Sequence, residues 1–396
     1  MDARLLTFFS SEFSGGIIAF AVLLLAAALF FLARFMSQAV YAVGLKGVSG
    51  LILALALLLG AGAFYQAYKI RQADILYPPP GQLVDVGGYQ MHILAEGPQA
   101  EGSQKNDATI VWISGAHEQG LVLHHLHKAV RGGRRTILFD RPGTGWSDVG
   151  PFPRTVEKEA QELHRLLKNT GEAGPFILAP WSFGGLLAIT FADLFPEDTA
   201  GLLLMDTTYS LLPVFDRETN IRAMCDRNRM AAWRARFGLE WDPAAQLTEQ
   251  QLVYYQNLYA PIADVQEAVL ANNARPAYFL SACSALGNSA IRVFGSTLGR
   301  GVLGDLPIFV MIPDDHERQA EVFAMTYFKT ELEQKNARRF SLQLKSDMAE
   351  LSSRSRIMVA PEGTTHSFPF EAPDFVLGAL TAMDSILAHK NYTAEN

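Results

Sequence analysis

Two uncharged apolar runs open the chain: Phe13 to Ala33, between Glu12 and Arg34, and Gly47 to Tyr68, between Lys46 and Lys69. Each holds 21 or 22 residues, enough at helical rise to cross a hydrocarbon core of roughly 30 Å. Inside such a core no water satisfies backbone N–H and C=O groups, so an isolated segment of this kind has to be a helix. The sequence therefore predicts a two-helix transmembrane hairpin over residues 1–72, with spans at about 13–33 and 47–68. A cleaved leader is the other reading of the first run, but Asp2 and Glu12 spoil a basic amino-terminal region and a second span follows at once. Small residues, Gly50 with Ala54 and Gly60 with Gly62, would let the two helices approach closely. Near the helix ends Arg4, Lys69 and Arg71 lie on one side and Arg34 and Lys46 on the other, a count that puts both termini in the cytoplasm.

Beyond the hairpin, Tyr77-Pro-Pro-Pro-Gly81 makes residues 73–81 a linker. Gln82 to Val86 and Tyr89 to Ala95 flank Gly87-Gly88, a hairpin signal. Further strands are expected at Thr109 to Ser114, Thr136 to Phe139, Phe176 to Ala179 and Gly201 to Met205, with helices around Leu121 to Val130, Val156 to Leu167 and Gly184 to Leu194 between them. Strands that alternate with helices argue for a parallel sheet covered on both faces. From Thr207 to Gly304 the pattern turns helical, across Asn220 to Phe237, Thr248 to Tyr259 and Ala263 to Asn272. An insertion there would sit over the carboxyl edge of the sheet as a cap. Strand pattern returns at Leu306 to Ile312 and Arg356 to Ala360, with helices over Thr330 to Leu351 and Pro373 to His389. The domain order is thus 82–206 core, 207–304 cap and 305–396 core. The Lys- and Glu-rich face between Lys329 and Glu350 reads as a solvated helix surface.

With 49% hydrophobic residues the chain can bury a large core, and its formal charge of -7 gives no surface for nucleic acid. Its only cysteines, Cys225 and Cys283, are too few for a disulfide scaffold and leave the redox compartment open.

The chemistry centres on Phe176 to Phe195, a short apolar strand, a turn with Ser182 at its tip, and an apolar helix. Gly184 and Gly185 let that turn be sharp, so the Ser182 hydroxyl would stand at the top of a sheet as in a nucleophile elbow. Taken alone, Ser182 is also a fair helix N-cap. A serine needs a base, and an acid to orient the base. His366, in Gly-Thr-Thr-His-Ser-Phe after the last strand, fits the base. Asp206, at the end of the strand after the elbow helix, is the favoured acid, with Asp315 of Ile-Pro-Asp-Asp-His as the alternative. Oxyanion donors would be the amides of Phe183, next after the serine, and of Ala116, in the Ser114-Gly115-Ala116-His117 loop, where Gly115 would permit close approach. Asp140-Arg-Pro-Gly-Thr-Gly-Trp-Ser-Asp148 suits a structural corner better than a phosphate cradle. His117, His124, His125 and His127 crowd together, but without a carboxylate at matching spacing they read as helix-covering residues rather than a zinc site.

The Gly87-Gly88 hairpin, the Ser-Gly loop, Asp-Arg-Pro-Gly-Thr-Gly-Trp-Ser-Asp, Trp-Ser-Phe-Gly-Gly and Gly-Thr-Thr-His-Ser-Phe occur in an order that resembles the α/β-hydrolase superfamily, over roughly Gln82 to His389. The resemblance implies a mostly parallel eight-stranded sheet with a helical cap and a Ser-His-acid triad at Ser182, His366 and Asp206 or Asp315. Two positions depart from the family's pattern, Pro180 where the elbow usually has Gly and Ser114 where many relatives have His. Dehalogenase and epoxide-hydrolase chemistry would need Asp in place of Ser182. The expectation is a membrane-anchored serine esterase acting without cofactor or metal on a small-molecule or lipid-like ester, with a cap rich in Trp233, Trp241, Tyr254, Tyr255, Tyr259 and Phe279. A peptidase or amidase, and a tethered binding protein that keeps the fold without turnover, are the rival readings.

Overall fold

The computed structural model describes residues 3–36, 39–99, 108–115, 118–207, 220–241, 256, 259–281, 283–284, 299–327 and 330–394. A short helix α1 (Ala3–Ser10) leads into α2 (Ser14–Arg34) and α3 (Ala39–Leu76). α2 and α3 lie side by side: Ser49 Oγ donates to the Ala26 carbonyl at 2.7 Å, which satisfies a hydroxyl in an apolar setting, and Gly60 faces Ala19. Their outward apolar residues, among them Phe20, Leu24, Phe31, Leu51, Leu57 and Leu58, are exposed. Both helices have the length and hydropathy of a membrane span.

The second helix differs from expectation. It has 38 residues, about 57 Å at 1.5 Å per residue, close to twice a hydrocarbon core. The surplus belongs to the globular part. Gly62 packs against Phe237, so closely that a β-carbon would lie 2.9 Å from the Phe237 carbonyl oxygen. Gln66 donates to the Ala274 carbonyl at 3.1 Å and accepts from Trp241 Nε1 at 2.5 Å. The helix thus continues to Leu76, through the first part of the expected linker. Gly50, expected at the helix contact, has nothing within 4 Å of a built β-carbon.

The sheet has eight strands: β1 (Gln82–Asp85), β2 (Gln90–Glu96), β3 (Ile110–Ile113), β4 (Thr136–Phe139), β5 (Phe176–Pro180), β6 (Thr199–Met205), β7 (Ile308–Ile312) and β8 (Ser355–Val359). Their order is β1-β2-β4-β3-β5-β6-β7-β8. β1 pairs β2 and β2 pairs β4 antiparallel, and every other pair is parallel. The central strands lack polar alternation because both faces are covered. Val111, Ile137, Leu178, Leu202, Leu204 and Val310 enter one core, and Ile110, Trp112, Leu138, Ile177, Leu203 and Phe309 the other. Helices α4 (His124–Val130), α5 (Val156–Asn169) and α6 (Gly184–Leu194) connect the first strands. α5 is capped by Thr155, whose hydroxyl accepts from Lys158 N.

Between β6 and β7 the described part of the cap includes α7 (Asn220–Ala235), a 3-10 turn at Ala260–Ile262 and α8 (Gln266–Asn273). The helix expected over Thr248 to Tyr259 falls almost wholly outside the described residues, as do Tyr254 and Tyr255. α8 sits over the loop after β3, where Gln119 Nε2 donates to the Val269 carbonyl at 3.0 Å. Cys225 and Cys283 form a disulfide that ties α7 to the segment after α8. After β7 come α9 (His316–Tyr327), which the sequence reading lacked, then α10 (Glu331–Ala349), β8, α11 (Phe368–Glu371) and α12 (Pro373–Ala394). α10 begins with a reciprocal capping box between Thr330 and Glu333.

Candidate active site

The strand β5 ends at Pro180 and the chain turns through Trp181 and Ser182 into α6. Ser182 has φ +55°, a conformation that costs a non-glycine residue about 1 to 2 kcal/mol. It is held there by hydrogen bonds on both sides: Trp181 N donates to the Ile113 carbonyl at 2.9 Å, Ser182 N to the Met205 carbonyl at 3.1 Å, and Gly184 N to the Trp181 carbonyl at 2.9 Å. A β-carbon at Gly184 would lie 2.7 Å from the Ile113 oxygen and 2.8 Å from the Ser114 oxygen, so only glycine lets α6 start this close to β3. Gly115 is different. A β-carbon there would make ordinary 3.5 Å contacts with Ser182 and the Trp181 ring, so close approach is not what requires glycine at that position.

Asp206 follows β6 immediately and is the other non-glycine residue with positive φ, +41°, among the described residues. Its amide donates to the Met311 carbonyl at 2.8 Å, pinning it between β6 and β7. Asp206 Oδ2 lies 2.6 Å from His366 Nδ1. The loop that carries the imidazole is tied to the elbow: Trp181 Nε1 donates to the His366 carbonyl at 3.0 Å, and the two rings sit 5.3 Å apart. Because Ser182 N is bonded to the residue before Asp206, serine, histidine and aspartate gather at one sheet edge. Among the described residues the Ser182 hydroxyl has no hydrogen-bond partner. Bonds between nucleophile and base are often long before substrate binds and shorten with it.

The alternative acid is placed elsewhere. Asp315 carries α9, its carbonyl accepting from Gln319 N at 2.9 Å, and its carboxylate faces Arg318 at 3.7 Å. Asp314 accepts from Gly363 N at 3.1 Å, which shapes the loop that delivers His366. A further group reaches the acid: Lys345 Nζ lies 2.5 Å from Asp206 Oδ1 and donates to the Thr207 carbonyl at 3.1 Å. From sequence alone, this stretch of α10 reads as a solvated helix surface. The missed signal is its place on the stripe of α10 that also carries the buried Ala337 and Met348. Burial alone would push the Asp206 carboxyl up, but the Lys345 ammonium and the His366 hydrogen bond hold it well below the usual carboxylate range.

For the oxyanion, the Phe183 amide sits at the start of α6 with no acceptor among the described residues. Ala116 lies outside the described residues. The loop that carries it is closed by Ser114 Oγ, which donates to the Glu118 carbonyl at 2.7 Å. The Asp140 loop is a structural corner: its carboxylate accepts from Gly120 N at 2.8 Å and Trp146 N at 3.1 Å, and pairs with His92 Nδ1 at 2.8 Å. The histidines of α4 do not cover an outer face. His127 is fully buried against Glu96, 2.8 Å away, and His125 meets the Pro369 carbonyl at 2.8 Å. Among the described residues no group of three or more His, Cys, Asp or Glu is arranged to hold a metal ion.

The cap aromatics divide. Trp233 packs edge-on against Phe237 of its own segment at 5.4 Å, and Trp241 lies under Lys69 of α3 at 5.1 Å, so Trp241 faces the helical hairpin. Tyr259 is buried in the core under the cap, and Phe279 packs on Tyr278 at 5.0 Å.

Residues 110–379 match the sequence profile of the alpha/beta hydrolase family. An uncharacterized protein of Bacillus subtilis, YbdG, is 26% identical over 163 residues, 41% of this chain and 49% of that protein. An uncharacterized vacuolar membrane protein of Saccharomyces cerevisiae is 27% identical over 139 residues, 31% of this chain and 21% of that protein. The chain thus spans about half of the first relative and about a fifth of the second. Among solved structures, a thermophilic esterase from Thermogutta terrifontis superposes with TM-score 0.51 at 18% identity, covering 77% of this chain and 98% of that one. The enol-lactonase of Burkholderia xenovorans gives 0.52 at 14% identity, covering 76% and 99%. An epoxide hydrolase, CorEH, gives 0.52 at 16% identity, covering 77% and 98%. At these identities the likeness is one of fold.

Proposed function

The chain belongs to the alpha/beta hydrolase family, and from that premise we propose that it is a membrane-anchored serine hydrolase cleaving the carboxylic ester of an apolar, lipid-like substrate. The observation that carries the reading is the Asp206–His366 hydrogen bond of 2.6 Å at the edge where Ser182 is held in its strained turn. Ser182 attacks the ester carbonyl while His366 Nε2 takes its proton, and Asp206 stabilises the imidazolium from the other ring nitrogen. The oxyanion receives the Phe183 N–H, with the Ala116 amide as second donor. His366 then protonates the departing alkoxide, and water, activated by the same base, releases the acid and restores Ser182.

An ester hydrolase fits better than epoxide chemistry, which would require a carboxylate nucleophile where this chain has Ser182. The lipid-like part of the reading rests on the way the cap is seated. α3 runs from the apolar hairpin directly into the cap, and Arg275 of the cap pairs with Glu12 at 2.8 Å and Asp74 at 2.5 Å. The test is hydrolysis by the detergent-solubilised protein of an ester series with acyl chains from two to sixteen carbons, alongside amides of the same acids. Turnover that rises with chain length and vanishes in Ser182→Ala supports the reading. Turnover confined to amides, or retained in Ser182→Ala, would refute it.

A further inference from the structure

We propose that Lys345 is a positioning residue of the triad, an ammonium that fixes Asp206 in its rotamer and lowers the pH at which the Asp206–His366 pair takes up a proton. The inference rests on the reading of Ser182, His366 and Asp206 as a hydrolase site. Lys345 Nζ holds Asp206 Oδ1 at 2.5 Å while Oδ2 faces His366 Nδ1 at 2.6 Å, so the two carboxylate oxygens have separate cationic or donor partners. The side chains of Lys345 and Asp206 are 14% and 10% exposed, which leaves little water to screen them. The bond to the Thr207 carbonyl at 3.1 Å fixes the ammonium on a second, backbone anchor.

A positive charge at this distance opposes protonation of the aspartate–histidine pair, whichever of the two residues the proton occupies. Among the described residues no other charged group is in hydrogen-bond or ion-pair contact with Asp206, Lys345 or His366. From the loop after β7, Asp314 is engaged by Gly363 N and Asp315 faces Arg318; from α11, Glu371 accepts from Thr365 N at 2.7 Å and its hydroxyl at 2.6 Å; the Trp181 ring over the imidazole is neutral.

The experiment compares kcat/KM against pH for wild type, Lys345→Gln and Lys345→Arg on one ester, with fluorophosphonate labelling to count folded active sites. Gln keeps a donor for Asp206 and removes the charge; Arg keeps the charge. The acid limb should move up by about one to two pH units in Lys345→Gln and stay within about 0.3 unit in Lys345→Arg. An unmoved limb in Lys345→Gln with full labelling would overturn the proposal. Activity that survives Ser182→Ala would instead overturn the hydrolase reading itself.

A second inference comes from the cysteines and is independent of the chemistry. We infer that the catalytic domain faces an oxidising compartment, with the turn between α2 and α3 on the reducing side. This reverses the side given by counting basic residues. Cys225 and Cys283 stand 58 positions apart in sequence and are bonded in the cap, with Cα atoms 5.0 Å apart. Disulfides persist outside the reducing cytosol. The basic residues at the span ends, Arg34 and Lys46 beside the turn against Arg4, Lys69 and Arg71 on the other side, are too evenly divided to oppose this.

Cysteines introduced at Phe35, 84% exposed beside the turn, and at Lys168, exposed on α5, provide the test in intact cells. A membrane-impermeant maleimide added outside should label Lys168→Cys at once and Phe35→Cys only after lysis, and the denatured, unreduced wild type should yield no free thiol. Labelling of Phe35→Cys alone in intact cells, or two free thiols in wild type, would overturn the assignment.

Discussion

At the scale of single residues, the site is defined by which aspartate reaches His366. Asp206→Asn should cost on the order of 10⁴-fold in kcat, because the imidazole loses both its orientation and its counter-charge. Asp315→Asn should stay within about twofold, since that side chain only helps to start α9. Equal losses from both substitutions, measured on the same ester, would contradict the assignment. Both aspartates were visible in the sequence as residues that end strands. Choosing between them required the positive φ of Asp206 and the path of the loop after β8, which are three-dimensional facts. Lys345 was hidden for the same reason: a lysine in a Lys- and Glu-rich helix reads as solvated until the helix is placed against β7 and β8, where it reaches the chain just after β6. Glu118 offers a residue-scale prediction of stability. Burial pushes its carboxyl up to about 7, with Arg141 opposing. Its folded value lies above the unfolded one near 4.5, so the folded state binds the extra proton between those values and stability falls as pH rises through that window. Glu118→Gln should therefore raise the melting temperature by roughly 2 to 5 °C at pH 8 and by much less at pH 4.5. Equal gains at both values would show that the carboxyl does not titrate as described.

Among the elements, the strands and the elbow helix were legible because their residue patterns are local. β4 and α6 match the expected ranges, and the remaining strands differ by one or two residues. α9 was missed because its twelve residues carry no strong apolar stripe, although Asp315 just before it and Glu317 in its first turn are ordinary helix-start signals. From sequence alone, the glycines of the hairpin read as helix-to-helix contacts. Gly60 does face Ala19, but Gly62 faces the cap, and no local pattern distinguishes those two partners. Gly62→Val would push a side chain into the backbone of Phe237. It should cost about 1 to 3 kcal/mol at the junction of α3 with the cap, read as faster proteolysis of the cap in detergent with the sheet domain still resistant. Unchanged protection would mean that the junction yields without loss.

On the scale of the whole molecule, the apolar hairpin, the cap and the sheet are joined rather than strung together. α3 carries the chain from the hairpin into the cap, Arg275 and Arg236 bind it to the amino-terminal helices, and Trp146 Nε1 donates to the Tyr77 carbonyl at 3.0 Å where the linker meets the active-edge loops. In the proposed membrane-anchored arrangement these contacts would hold the site at a fixed height above the point where α2 and α3 leave the hydrocarbon, which suits a substrate that partitions into the bilayer. The sequence announced the hairpin and the hydrolase separately, from composition and from motif order. Their union through residues 62–77 depends on contacts more than 150 positions apart in the chain, beyond the reach of any periodicity. The whole arrangement has a purpose only if Ser182 is an activated nucleophile. Membranes containing wild-type protein, Ser182→Ala or His366→Ala should be treated with a fluorophosphonate probe and the covalent adduct counted. Labelling of wild type that disappears in Ser182→Ala and falls by at least about 10³-fold in rate in His366→Ala is the expected result. Folded wild type that takes no label, or Ser182→Ala that still does, would contradict it.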